Sequence, residues 1–210
     1  MARIVKDPED RKLEVILTAE RLFKERGFKE TSVDAIVQEM NVAKGTFYYY
    51  FKSKEAVLEA IVNRTLDQVV EMAQQVADAP SLDALSKMEM LLPDSHIGGE
   101  DTTEKAEYLH LPDNRELHEI TNIQTILKLS PVFAQIVEQG NEEGVFKVAR
   151  PLETIQFLLA SSQFLLDGGL FDFDEQELRQ RRLSMQDMIE RSLGAAPGSF
   201  GFMNPSTQKE

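Results

Sequence analysis

Two short helical patterns meet at Asn41-Val42 inside the stretch TSVDAIVQEMNVAKGTFYYYFKSK, residues 31–54. So short a connection obliges the second helix to cross the first, which is the geometry of a helix-turn-helix. Val33, Ile36, Val37 and Met40 form the inward side of the first pattern, and Phe47 and Phe51 that of the second. Asn41 falls where the turn needs a positive φ, a conformation asparagine tolerates. The second pattern carries Lys44, Thr46, Tyr48, Tyr49 and Tyr50; Lys52 and Lys54 follow, and no acid lies between Glu39 and Glu55. Hydroxyl-bearing aromatics beside lysines suit a DNA groove better than a solvent face. Tyr50, flanked by Phe47 and Phe51, is expected to pack inward, and Lys52 to be a solvated turn residue.

The rest of the chain also reads as helix. Asp7-Pro8-Glu9-Asp10 is a start signal: a capping acid, a first-turn proline, then acids in the first turn. Gly27 closes that helix, with Phe28 placed to pack back. Thr31 or Ser32 caps the second helix. Ser53 caps a long fourth helix of about 54–77, which ends before Pro80. Further helices are expected over 81–92 and 101–129, the latter broken near Pro112. Another starts at Ser130-Pro131 and stops at Gly140 or Gly144. The last two are expected over 151–166 and 174–193. Residues 194–210, rich in Gly, Pro and Ser, are expected to be a disordered tail. No β-period run or internal repeat is present, so the fold class is all-α.

Charge at first argues against DNA, because the net charge is −13. Its distribution reverses that reading. Residues 1–60 hold 11 Lys+Arg against 11 Asp+Glu, whereas 61–210 hold 12 against 25. The excess acid lies in the larger C-terminal part, where a Debye length of about 8–10 Å screens it from a bound duplex. Cysteine is absent, which excludes disulfides and thiolate chemistry. The chain lacks the long apolar run of a transmembrane helix and an apolar signal core, so a cytoplasmic protein with no membrane partner is expected.

The segment ILTAERLFKERGFKETSVDAIVQEMNVAKGTFYYYFKSKEAVL resembles the DNA-binding domain of TetR-family transcriptional regulators. The resemblance rests on Ile16, Ala19, Leu22, Phe23, Gly27 and Phe28, then Val42, Gly45, Thr46, Tyr48, Phe51 and Ser53-Lys54-Glu55. The family often has Gly at Asn41, Ser at Ala43 and His at Tyr49 and Tyr50. Ala43 cannot accept the capping bond that Ser would, a loss of roughly 0.5–2 kcal/mol. The resemblance implies an N-terminal three-helix helix-turn-helix domain, residues 1–53. A larger helical bundle for ligand binding and dimerisation, 54–193, would follow, with the fourth helix as connector. It implies phosphate contacts from Thr31 or Ser32, Tyr48 and Lys54. It implies base-edge contacts from Lys44, Thr46 and Tyr49, and close backbone approach at Gly45. Arg3, Lys6, Arg11 and Lys12 form an N-terminal arm that is read as solubilising, with a groove contact as the alternative.

The family also implies a homodimer on a palindromic operator and a small-molecule effector. Met88, Met90, Tyr108, Leu127, Phe133 and Phe157 are the pocket candidates. The helix around 157–166 is apolar almost all round and so needs covering on two sides. Phe157, Phe164 and Leu165, with Met185, Met188 and Ile189 of the last helix, are the dimer candidates. A ligand-responsive repressor of double-stranded DNA is therefore the expected function. No cofactor or metal is expected, and no catalytic residue is assigned. Two alternatives stand beside it. One is an all-helical protein-binding module that has lost DNA binding. The other is an all-helical metalloenzyme built on His110, His118 and nearby carboxylates, while no role is assigned to His96.

Overall fold

The computed structural model describes residues 7–92, 115–166, 171 and 173–204. Among them the chain forms α1 (Pro8–Arg26), α2 (Val33–Glu39), α3 (Lys44–Tyr50), α4 (Lys54–Ala77) and α5 (Ala84–Leu91). Then come α6 (Arg115–Glu143), α7 (Pro151–Leu165), α8 (Glu175–Leu193) and a 3-10 turn, Gly201–Met203. No described residue lies in a strand. No described helix is long and apolar enough to cross a membrane.

The helix ends follow local chemistry. Asp7 accepts the Glu9 N–H at 2.9 Å, with Pro8 at the first helical position. Gly27 closes α1 at φ 86°, and Phe28 folds back edge-on to Phe23, ring centroids 5.1 Å apart. Ser32, not Thr31, caps α2 by accepting from Ala35 N–H; Ser53 caps α4 by accepting from Ala56 N–H. Asn41 takes φ 51°, and Ala43 offers α3 no side-chain cap. Asp174 and Glu177 form a reciprocal capping box at α8.

Two expectations fail for tertiary reasons. No new helix starts at Ser130-Pro131, because α6 runs through it with Pro131 inside. The proline withholds one N–H, and the residue four positions back, Leu127, is exposed, so water can serve its carbonyl. Ser130 turns its hydroxyl to donate to Ile126 C=O at 2.5 Å. The buried stripe Leu129, Val132, Phe133, Ile136 and Val137 continues across the proline and holds the helix together. The second failure is the disordered tail. Over 195–204 the chain folds back onto α8, and Phe200 is 0% exposed. Its ring lies 6.1 Å from that of Phe146. Glu190, itself buried, accepts N–H groups from Gly198 at 2.9 Å and Phe200 at 3.0 Å and a bond from Gln186. Burial would raise the Glu190 carboxyl's pKa, but these donors outweigh it and hold the carboxyl below its ordinary range. Residues 205–210, the break near Pro112 and the arm residues Arg3 and Lys6 lie outside the described residues.

Buried side chains form two clusters. The first joins α1, α2 and α3 to the first half of α4 and includes Ala19, Phe23, Ile36, Phe47, Phe51, Leu58 and Leu66. The second joins the end of α4 to α5, α6, α7 and α8. The packing therefore does not divide at residue 53. Helix α4 threads both clusters, giving Val57, Leu58, Val62 and Leu66 to the first and Ala73 and Ala77 to the second. Helix α6 reaches the first cluster too, through Ile120.

Candidate nucleic-acid interface and interior cavity

Helix α3 is only 7 residues long and buries one of them, Phe47. With Phe47 and Phe51 anchored inward, the helical period carries Tyr48 and Tyr49 to the surface. Tyr48 is 50% exposed and Tyr49 78%. Tyr50 packs against the first cluster, as expected, and meets Tyr49 edge-on at 4.8 Å, which steadies the outer ring. Lys44 and Gly45 are exposed, and nothing lies within 4 Å of the position a Gly45 Cβ would take. Thr46 is half-buried on the same turn.

The structure redistributes the phosphate candidates. Thr31 is buried; its hydroxyl donates to Gly27 C=O at 2.8 Å and lies 3.2 Å from Leu22 C=O. That hydroxyl closes the α1–α2 loop and cannot serve as a surface contact, which corrects the role assigned to Thr31. Ser32 remains exposed. Lys54 is also committed. Its ammonium donates to Phe28 C=O at 2.6 Å and lies 4.1 Å from the Phe28 ring centroid. It pins the same loop, and this neutral carbonyl leaves its charge in place. Lys52 stays exposed.

One partner escaped the sequence reading. Asp34, on the first turn of α2, meets Lys44 at 2.8 Å. The hydrogen bond to Asp34 holds the Lys44 ammonium above its ordinary pKa, against the opposing effect of desolvation. Both side chains are largely exposed, so the pair is worth little in water and can be exchanged for a phosphate. The crossing of α2 and α3 creates this contact, and ten residues of sequence separation conceal it.

The second cluster surrounds a cavity of about 220 Å³. Met88 of α5 and Phe133 of α6 line it, as expected. Ile155, Leu158, Leu159, Ser162 and Leu166 contribute one stripe of α7, and Met185, Ile189 and Leu193 one stripe of α8. Leu92 and Met203 complete the lining. Three pocket candidates are corrected: Met90, Leu127 and Phe157 are exposed on the outer surface. Tyr108 lies outside the described residues. Two dimer candidates are corrected as well, since Met185 and Ile189 are buried and face the cavity. Phe157, Phe164 and Leu165 of α7 and Met188 of α8 are exposed apolar side chains. A period reading of α7 alone separates its two faces: 155, 158, 159, 162 and 166 share one, 157 and 164 the other, and 165 lies at the border beside 158.

His118 lies in α6 with Asn122 at 3.4 Å from its Nδ1. Among the described residues no three His, Asp or Glu side chains gather closely enough to hold a metal ion. His96 and His110 lie outside those residues.

Comparison with known proteins matches residues 15–61 to a model described as "Bacterial regulatory proteins, tetR family". Residues 100–188 match one described as "Tetracyclin repressor-like, C-terminal domain". The HTH-type transcriptional regulator EthR of Mycobacterium tuberculosis is 37% identical over 73 residues, 35% of this chain. The chain spans only 34% of that relative's length. An uncharacterized HTH-type regulator of Bacillus subtilis, YfiR, is 25% identical over 83% of this chain and 87% of its own. Among solved structures, RolR in complex with resorcinol superposes with a TM-score of 0.65 at 18% identity, covering 94% of each chain. A TetR/AcrR regulator from Thermobifida fusca gives 0.53 at 23% identity, covering 93% of this chain and 97% of that one. At these identities the structural likeness speaks for the fold.

Proposed function

The chain belongs to the TetR family of bacterial regulatory proteins, and on that premise we propose that it is a sequence-specific transcriptional repressor released from DNA by a small ligand. It acts in the cytoplasm as a homodimer on a palindromic operator, and no catalytic step is assigned to it. The observation that carries this reading is the outer face of α3. Two tyrosines and a lysine stand in solvent on a short helix whose other aromatics turn inward, Phe47 sealed in the core and Tyr50 packed against it. Such a helix fits the major groove. Lys44 can donate to guanine O6 and N7 once it leaves Asp34, and Thr46 and Tyr49 can contact base edges or a thymine methyl. Ser32 and the Tyr48 hydroxyl suit phosphates, and Gly45 permits close approach.

The exposure of Phe157, Phe164, Leu165 and Met188 supports the dimer, which would set two copies of α3 at groove spacing, about 34–36 Å or a multiple. The cavity supports the ligand response. Its wall residue Phe133 lies on α6, whose Ile120 packs on the first cluster and whose Lys128 pairs with Asp67 of α4. Arg64 of α4 reaches Glu20 of α1 at 3.3 Å. A ligand that reseats α6 thus has contacts through which to favour a second spacing of the reading heads, a population shift. Release follows only if the ligand prefers that second state.

Selection from a random duplex pool with the full chain, at low and moderate salt, tests the proposal. An inverted repeat should emerge, with binding that falls steeply as salt rises. Recovery of no preferred sequence at either salt would defeat it.

A further inference from the structure

The cavity has a chemical character of its own and an unusual wall. Apart from one serine, every described lining side chain is aliphatic, a thioether or phenyl, and no described ionisable group faces it. The one polar side chain, Ser162, donates its hydroxyl to Leu159 C=O at 3.0 Å, which leaves its oxygen lone pairs as acceptors. An unpaired charge placed there would lose its hydration without a partner. Size narrows the choice further. An apolar cavity of about 150 Å³ takes benzene, so this one suits roughly nine non-hydrogen atoms.

One wall is not built by the helical bundle. Met203 comes from the C-terminal segment, which is held by the Glu190 carboxylate, by Phe200 buried against Phe146 and by Asn204 bonded to Gln186 at 2.9 Å. The segment's position is therefore specified by both polar and apolar contacts, and it presents Met203 to the cavity as a fitted part.

Resting on the effector reading above, we propose that this cavity takes a compact, uncharged, mostly apolar molecule, such as a monocyclic arene with a single hydrogen-bond donor, held behind a wall formed by the chain's own C-terminal segment. The donor pairs with Ser162, and Met203 packs against the ligand from the segment side. Acids, amines and long acyl chains are excluded by charge or by size.

Calorimetric titration of the full-length protein with toluene, phenol, benzoate and benzylammonium tests this. Toluene and phenol should bind, with phenol the tighter. Benzoate and benzylammonium should bind at least about 100-fold more weakly than phenol. Comparable binding of either ion, or no binding of both neutral probes, would overturn the ligand class. Met203→Trp should fill the cavity and weaken phenol at least about tenfold, while the Phe200 amide keeps its protection from hydrogen exchange. Undiminished phenol binding with the Phe200 amide still protected would overturn the wall. If Phe200 loses protection, Met203→Ala supplies the second reading, and an unchanged phenol affinity there would also overturn it. Release of the selected duplex is measured separately. Phenol binding without release leaves the ligand class standing and removes the effector reading; release by a charged compound with no phenol binding does the reverse.

Discussion

Helices α3 and α7 both hold aromatic rings out in water, yet the company those rings keep differs. On α3 the exposed rings are tyrosines, each tipped with a hydroxyl, beside Lys44 and followed by Lys52. On α7 they are Phe157 and Phe164, with Leu165 next in the chain, and carry no polar tip. Exposure alone does not identify a partner. A ring with a hydroxyl and a neighbouring cation suits a wet, charged surface such as DNA. A bare phenyl among aliphatic neighbours suits another apolar protein face.

The largest effect that would break this contrast is Phe157→Asp. It should convert the proposed dimer to monomer in sedimentation, at a cost of about 3 kcal/mol or more, since the charge would be buried unpaired. An unchanged dimer would mean that α7 is not the covered face. Next is Phe47→Ala, which should destabilise the first cluster by about 3–5 kcal/mol in chemical denaturation, because Phe47 is fully buried. A loss under 1 kcal/mol would show that α3 is not held by its inner ring.

Tyr49→Ala should change the preferred base at one position of each half-site by about 1–3 kcal/mol in competition binding. Tyr48→Phe should weaken all sequences alike, because a phosphate contact carries no base information. If both variants behaved the same way, the division of α3 into reading and positioning residues would fail. Ser53→Ala removes the cap of α4, the helix shared by both clusters, and should lower stability by about 1 kcal/mol.

The smallest expected effect concerns Glu190. Its folded pKa lies below the ordinary value, so its contribution is fully present above the unfolded carboxylate range near pH 4.3 and is lost as pH falls through the lower folded value. The protection factors of the Gly198 and Phe200 amides, each taken against the intrinsic exchange rate at the same pH, should therefore fall only under acid conditions. A fall in protection near neutral pH would show that the carboxylate is not what holds the segment.

Much of the N-terminal region was legible in the chain itself. Asp7, Gly27, Ser53 and Asn41 act within a few residues of themselves, so their caps and turn could be read without knowing what packs where. The outward face of α3 followed from the spacing of Phe47 and Phe51. By contrast, the roles of Thr31 and Lys54 depended on carbonyls exposed by the closing of the α1–α2 loop. The Asp34–Lys44 pair depended on two helices crossing.

In the larger region, apolar residues alone could not say which face each would take. Met185 and Ile189 face the cavity while Met188 faces solvent, a choice made by how α8 rolls against α7. Local signals also misread Pro131 and the Gly-rich segment after Gly194. The buried stripe of α6 outweighs one missing N–H, and Phe200 with the Glu190 carboxylate outweighs the entropy of a flexible segment. The sequence by itself determined the all-helical class, the helix ends of the N-terminal region and the reading helix, because those rest on period and capping. Tertiary structure decided the cavity, its C-terminal wall and the commitment of Thr31 and Lys54, because each arises where segments distant in sequence meet.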